Sequence, residues 1–218
     1  MKFFSSQLLS VVLLGATAVS ATSVLTRRGA GVSSLDLCPT AQIVQTQVIQ
    51  VGANSVTRTT YACPNKSLRK TPGSKRGAAK RTFSGPFGAF EKRNAVECRT
   101  AAPECQCGQD FTCECQDVTA QAPVPSDCTT LAETTAILAQ TGGPTFLVQP
   151  DNFELISSGT CALEFTNESA MTLEYCWDEL GSTGTLVNQE CFENGAGTAA
   201  ACDANDGDFL TQSLRVGS

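Results

Sequence analysis

Twelve cysteines in a chain of 218 residues, behind an export-type N-terminus, constrain the fold more than any other feature of the sequence. In an oxidising compartment thiols pair, so an even set of cysteines reads as a disulfide framework rather than as metal thiolates or nucleophiles. The compartment is read from the N-terminus. Met1-Lys2-Phe3-Phe4 gives a charged start, Leu8 to Leu14 a short apolar run, and Ala18-Val19-Ser20-Ala21 small residues at a cleavage point. Those three parts predict a secretory signal peptide over residues 1–21. The apolar run falls short of the ~20 residues a membrane helix needs, and no other stretch approaches that length. The expectation is a secreted, extracellular protein with no membrane span.

The cysteines divide around a basic segment at residues 64–93. Lys66 to Arg93 hold nine of the fifteen Lys and Arg and no cysteine. Lys75-Arg76, Lys80-Arg81 and Lys92-Arg93, with Arg27-Arg28 after the signal, match the dibasic sites cut by kexin-type processing proteases. Gly73, Gly77, Gly85 and Gly88 with Pro72 and Pro86 supply the exposed, pliable backbone such cleavage requires. The plainer reading is an uncut flexible linker with solvating lysines. Processing is therefore expected at Arg28, Arg76, Arg81 or Arg93, with residues 22–28 as a short pro-segment. Two cysteines precede the linker and ten follow it, so each part could satisfy its disulfides internally. The cysteines assigned to disulfides are Cys38, Cys63, Cys98, Cys105, Cys107, Cys113, Cys115, Cys128, Cys161, Cys176, Cys191 and Cys202, with their connectivity left open.

Charge is segregated as well. From Asn94 onward there are nineteen Asp and Glu against two Arg, a net of −17. Such a charge opposes binding to nucleic acid or to anionic membrane surfaces. It is compatible with solubility in a mildly acidic medium or with a cationic partner, and the preferred reading is a solvated acidic surface.

Residues 29–63 read as a separate β-hairpin module. Gln42 to Val51 is rich in β-branched residues, Gly52-Ala53-Asn54 is a turn signal, and Ser55 to Tyr61 reads as the returning strand. Cys38 and Cys63 stand at its open ends, where a disulfide would close it. An isolated hairpin is barely stable in water, so it must be stapled, docked or discarded.

Residues 94–218 read as an acidic α+β domain: one small antiparallel sheet of about four strands with one or two packed helices. Cys98 to Cys115 suggests an irregular, cross-linked lead-in. Ser126 or Asp127 is a candidate N-cap for a helix to about Gln140, with Cys128, Leu131, Thr135 and Leu138 at helical spacing. Gly142-Gly143-Pro144 ends it. Thr145–Val148 and Phe153–Ile156 predict short strands. Thr160–Phe165 and Met171–Trp177 alternate in polarity and predict a hairpin joined by Thr166–Ala170, with Phe165, Tyr175 and Trp177 inward. A second helix is expected from about Thr183 to Phe192, a loop from Glu193 to Asp208, and a last edge strand from Phe209 to Val216.

The chain has no histidine. That removes Ser-His-Asp and Cys-His mechanisms and the usual His-containing zinc sites. A paired-carboxylate hydrolase remains the catalytic alternative, with Glu164, Glu174, Asp178 and Glu179 as candidates and Glu164 and Glu174 on one polar face of the expected hairpin. With so many acids some such pair is expected by chance, and no catalytic residue is assigned. Asp203-Ala204-Asn205-Asp206-Gly207-Asp208 partly fits a calcium loop, but its glycine comes one place early and Leu214 stands where the terminal Glu belongs. An ordinary turn is preferred, and no metal or cofactor is assigned. Asn65-Lys66-Ser67 and Asn167-Glu168-Ser169 are N-glycosylation sequons. Asn167, in the expected hairpin turn, is the favoured site on the mature domain.

Pro123-Val124-Pro125-Ser126-Asp127-Cys128, then Phe146, Ser158-Gly159-Thr160-Cys161, Leu173-Glu174-Tyr175-Cys176, Cys191 and Cys202-Asp203 follow one another in an order that resembles uncharacterised secreted cysteine-rich proteins of mushroom-forming fungi. These are in turn distantly similar to necrosis-inducing effectors and killer-toxin-like proteins. The resemblance covers about residues 98–216 and brings no catalytic residues. It implies an effector-like or toxin-like interaction protein with an extracellular protein or glycan as partner. The alternatives are a carbohydrate-binding or cell-wall-associated protein and a small carboxylate-dependent glycoside hydrolase.

Overall fold

The computed structural model describes residues 33–65, 68, 81–84, 97–118 and 120–216, with the backbone alone for 81–84. The expected signal peptide and pro-segment, and the dibasic pairs ending at Arg28, Arg76 and Arg93, lie outside these residues.

The fold is α+β and disulfide-rich, built on an antiparallel sheet. In chain order the elements are α1 (Ser34–Leu37), β1 (Gln42–Val51), β2 (Asn54–Ala62), β3 (Arg81–Ser84), β4 (Phe111–Gln116), α2 (Pro125–Gly142), β5 (Thr145–Val148), β6 (Asn152–Ser158), β7 (Cys161–Asn167), β8 (Leu173–Cys176), α3 (Trp177–Val187), β9 (Ala199–Ala204) and β10 (Phe209–Arg215). A π-helical turn, Asn188–Glu193, extends α3. Eight strands form one sheet in the order β1-β2-β6-β7-β10-β9-β4-β3, and β5 and β8 form a second of two strands.

The front hairpin is therefore not a separate module. β2 pairs antiparallel with β6 from Thr57↔Ser157 to Ala62↔Asn152, so residues before the basic segment continue the sheet of those after it. The segment itself is anchored at two points. Leu68 is buried and its amide donates to Asp151 Oδ1 at 2.9 Å, and residues 81–84, expected within the flexible linker, pair with β4 as β3.

On one face of the large sheet lie α2, α3 and the β5–β8 pair. Their core is aromatic at its centre: Phe165 stacks on Tyr175 at 4.7 Å and on Phe209 at 5.1 Å, and Phe146 lies 4.0 Å from Trp177. Each such ring, fully buried, contributes about 1.5–3 kcal/mol. Two glycines of α3 set its depth. A Cβ on Gly181 would collide with Thr135 of α2, and one on Gly184 would lie 2.7 Å from Leu163 of β7. Small residues are required there because the helix touches both neighbours with its backbone. The opposite face carries α1, with Cys38, Cys63, Leu68 and Phe153 packed together and Tyr61 stacked on Phe153 at 4.9 Å.

Several expectations give way. The hairpin between residues 160–165 and 171–177 does not form: β7 pairs with β6 and β10, and β8 with β5. Trp177 opens α3, which begins six residues before the expected second helix. Helix α2 starts with Pro125 at its first turn and Val124 as N-cap, rather than at Ser126 or Asp127. Proline suits that position because its missing N–H is one the helix cannot use. Asp127 instead ties the β6–β7 turn, accepting from Thr160 N at 2.8 Å and Thr160 Oγ1 at 2.7 Å. The last strand, β10, is central and not an edge, because β9 and β4, expected as loop and lead-in, extend the sheet beyond it.

All twelve cysteines pair: Cys38–Cys63, Cys98–Cys105, Cys107–Cys176, Cys113–Cys202, Cys115–Cys191 and Cys128–Cys161. The first closes the segment around the hairpin and the other five lie after residue 93. No bridge joins the two parts.

Candidate ligand cleft

The carboxylates considered for hydrolysis are not brought together. Glu164, on β7, points to the α1 face. It is fully buried and accepts from the Ser34 amide at 3.0 Å and from Thr166 Oγ1 at 3.0 Å. Burial pushes its carboxyl up, against the hydrogen bonds from Ser34 and Thr166. Glu174, on β8, lies on the other side of the sheet. Its oxygens accept from the amides of Arg99 (2.9 Å) and Thr100 (2.7 Å) and from the hydroxyls of Thr100 (2.7 Å) and Thr145 (2.6 Å). Burial alone would raise this carboxyl, but those donors outweigh it and hold it below the ordinary range. A carboxylate so engaged pins the Cys98–Cys105 lead-in to β8 and β5.

Asp178 and Glu179 open α3 beside Glu97 and the Cys107–Cys176 bridge. Burial, with the Gly108 amide opposing it and the charges of Asp178 and Glu97 adding to it, pushes Glu179 up to about 7. Glu97 Oε2 approaches Cys176 Sγ at 3.2 Å, but that sulfur is in a disulfide and has neither a proton nor a thiolate charge. The same holds for the cluster of Cys98, Cys105 and Cys107, whose sulfurs are bonded pairwise and to Cys176. The Asp203–Asp208 stretch is the β9–β10 turn, with Gly207 at φ +83°, Asp206 Oδ1 accepting from the Asp208 amide at 3.0 Å, and Asn205 Oδ1 accepting from Thr112 at 3.2 Å.

The two sequons fare differently. Asn65 is exposed. Asn167 is fully buried at the end of β7: its side-chain nitrogen donates to Val148 O (2.8 Å) and Met171 O (2.7 Å), and its oxygen accepts from the Ser169 amide and hydroxyl. As folded, both hydrogens of that nitrogen are spent on these two carbonyls, and the side chain holds the turn after β7.

What the structure does assemble is a cleft of about 350 Å³ between β1–β2, the C-terminus of α2 and β5–β8. Arg58 and Arg99 line it, with Trp177 and Phe146 as apolar floor, Glu174 at its base, and Gln47, Thr141 and Thr145 on its walls. Arg58 lies with its guanidinium carbon 4.7 Å over the Trp177 ring and donates through Nε to Glu154 Oε1 at 2.5 Å. Thr60 donates to the other Glu154 oxygen at 2.8 Å. Arg58 is thus held rigidly, stacked on one side and paired on the other. Arg99 is exposed, and among the described residues its guanidinium has no hydrogen-bond or ion-pair partner. It stands near Gly143, at the carbonyl end of α2, a helix with no basic residue in its own last turn.

The sequence reading missed this site. One signal for it was present: outside residues 1–28 and 66–93, the chain has only Arg58, Arg99 and Arg215 as cations, and two of the three meet here. Arg215 donates instead to Ala122 O. No protein-family model, no curated protein and no solved structure matches the chain.

Proposed function

We propose that this chain is a secreted interaction protein, effector-like or toxin-like, made as a precursor trimmed at dibasic sites, and that it binds an acidic ligand through the cleft of Arg58 and Arg99. The six disulfides fit an extracellular protein, and among the described residues no helix is long and apolar enough to cross a membrane. The observation that carries the ligand reading is the convergence of two arginines on one cleft of a body that is otherwise heavily acidic. Arg58 is already neutralised by Glu154 and serves as a fixed wall. Arg99, whose guanidinium has no partner among the described residues, is the group that would receive a carboxylate of a glycan or a protein side chain.

The test is binding of the mature protein to uronic-acid oligosaccharides and to neutral chitin and glucan, with Arg99→Ala alongside. Binding to the acidic ligands, lost in the variant and weakened by salt, is the expected result. Retention on neutral polymers that ignores Arg99→Ala would favour the cell-wall reading. Turnover of any glycan, abolished by Glu174→Gln in a variant that still folds, would overturn a purely binding role.

A further inference from the structure

Strand β1 is the long free edge of the eight-stranded sheet, and among the described residues nothing pairs with its outer side. Its ten residues carry no charge and no proline, and Ile43, Val44 and Val48 are 64%, 61% and 59% exposed. Natural proteins protect such an edge with charge, proline or a bulge, because its unpaired amides and carbonyls template another strand. Here only a register slip between Ile43 and Gln45 does so, at one end. The other edge of the sheet, β3, is four residues long.

The sequence of this edge is self-complementary. Gln42-Ile43-Val44-Gln45-Thr46-Gln47-Val48-Ile49-Gln50 reads identically in both directions about Thr46. Antiparallel strands related by a two-fold axis through Thr46 would set Thr46 against Thr46, Gln45 against Gln47, Val44 against Val48, Ile43 against Ile49 and Gln42 against Gln50. Every cross-strand pair would match like with like, uncharged and β-branched or amide-bearing, which are favourable neighbours across strands. The slip at Val44 falls opposite Val48 of the second copy, towards each end, and leaves the three central pairs regular. We infer that β1 joins two copies of this chain edge to edge in an antiparallel two-fold dimer centred on Thr46. A second copy is favoured over other occupants because this edge is uncharged while residues 94–218 carry −17, so two molecules can meet here without opposing like charges. Gln47 lines the arginine cleft, so the dimer would also set two clefts side by side.

An interface of one strand pair is small, so association is expected to be weak and concentration-dependent. Analytical ultracentrifugation of the mature protein, up to ~1 mM, should show a monomer–dimer equilibrium that tightens with added salt. Thr46→Lys sets two ammonium groups opposite each other and should leave only monomer; Thr46→Glu should do the same. Mixing the two variants should restore a dimer, because Lys then faces Glu. Met171→Lys, on another surface, should dimerise like the parent. Circular dichroism confirms that each variant folds, and Val48→Lys replaces Thr46→Lys if it does not. A parent that stays monomeric throughout, or a dimer indifferent to Thr46→Lys and Val48→Lys, overturns the proposal. Neither outcome bears on ligand binding by Arg99.

Discussion

Arg58 and Trp177, one before the basic segment and one well after it, are locked face to tip, with the guanidinium carbon 4.7 Å above the indole ring and Glu154 accepting from Nε. Glu154 is 1% exposed, so removing Arg58 leaves a carboxylate at a buried position without its cation. Arg58→Ala should therefore cost about 3 kcal/mol, the typical result of orphaning one member of a buried ion pair. Arg58→Ala/Glu154→Gln should recover part of it. Urea denaturation of both variants checks this, and a loss below about 0.5 kcal/mol would mean that Glu154 reaches solvent.

Cleavage at Arg76 or Arg93 should yield two chains that separate on a non-reducing denaturing gel but elute together under native conditions. No disulfide crosses the cut, whereas β2–β6 pairing, the Arg58–Trp177 contact and the docking of Ser34 on Glu164 all do. The front piece is then a strand donor to the larger one. Separation under native conditions would show that these contacts do not suffice.

Glu179 should make stability fall with rising pH. Its folded carboxyl is pushed up to about 7 from an ordinary 4.5, so the fold favours the protonated form and is penalised as pH rises from 4.5 towards 7. Glu179→Gln should be neutral near pH 4 and stabilising by about 1–2 kcal/mol near pH 8, the discount from the full shift reflecting partial access to solvent. Thermal melts of parent and variant across this range decide it, and an equal difference at both ends would remove titration as the cause.

Glu174 should act in the opposite sense. Its folded carboxyl is held below 4.5, so its contribution is present above 4.5 and lost as pH falls through the lowered value. Glu174→Ala strands two amides and two hydroxyls and should cost about 3 kcal/mol or more. Faster amide exchange at Arg99 and Thr100 in that variant would locate the loss, and unchanged protection there would contradict it.

Asn167 should carry no glycan, and Asn167→Ala should cost about 2–3 kcal/mol because Val148 O, Met171 O and the Ser169 donors lose their partner inside the protein. Glycopeptide mapping should find any N-glycan of this chain at Asn65. A glycan at Asn167 would require a different end to β7.

The strands that were legible in the sequence are those with one face wet or a local turn. β1 and β2 announce themselves by β-branched residues around Gly52, and β10 by Phe209 to Leu214. β9 does not, because Ala199-Ala200-Ala201-Cys202-Asp203-Ala204 lacks the side chains that favour strands and is almost wholly buried, so no alternation marks it. β7 is buried at every position, which makes its Glu164 look like a solvent-facing residue in sequence although α1 covers it. Similarly, Asn167 has a sequon's spelling, and only the positions of Val148 and Met171 show that its amide is spent.

By itself the sequence determined the pairing of every cysteine with another, the α+β class and the segregation of charge. These follow from composition and local pattern, which one chain segment carries without knowing its neighbours. Tertiary structure alone decided that β2 lies beside β6, that Glu164 and Glu174 stand on opposite sides of a sheet, and that Arg58 and Arg99 face one cleft. The strand pairing joins residues 90 to 100 positions apart, the cleft residues 41 apart, and Glu164 is turned to its side by Ser34, 130 positions away. Which distant strands meet is chosen by burial summed over the whole core, a quantity no local window contains.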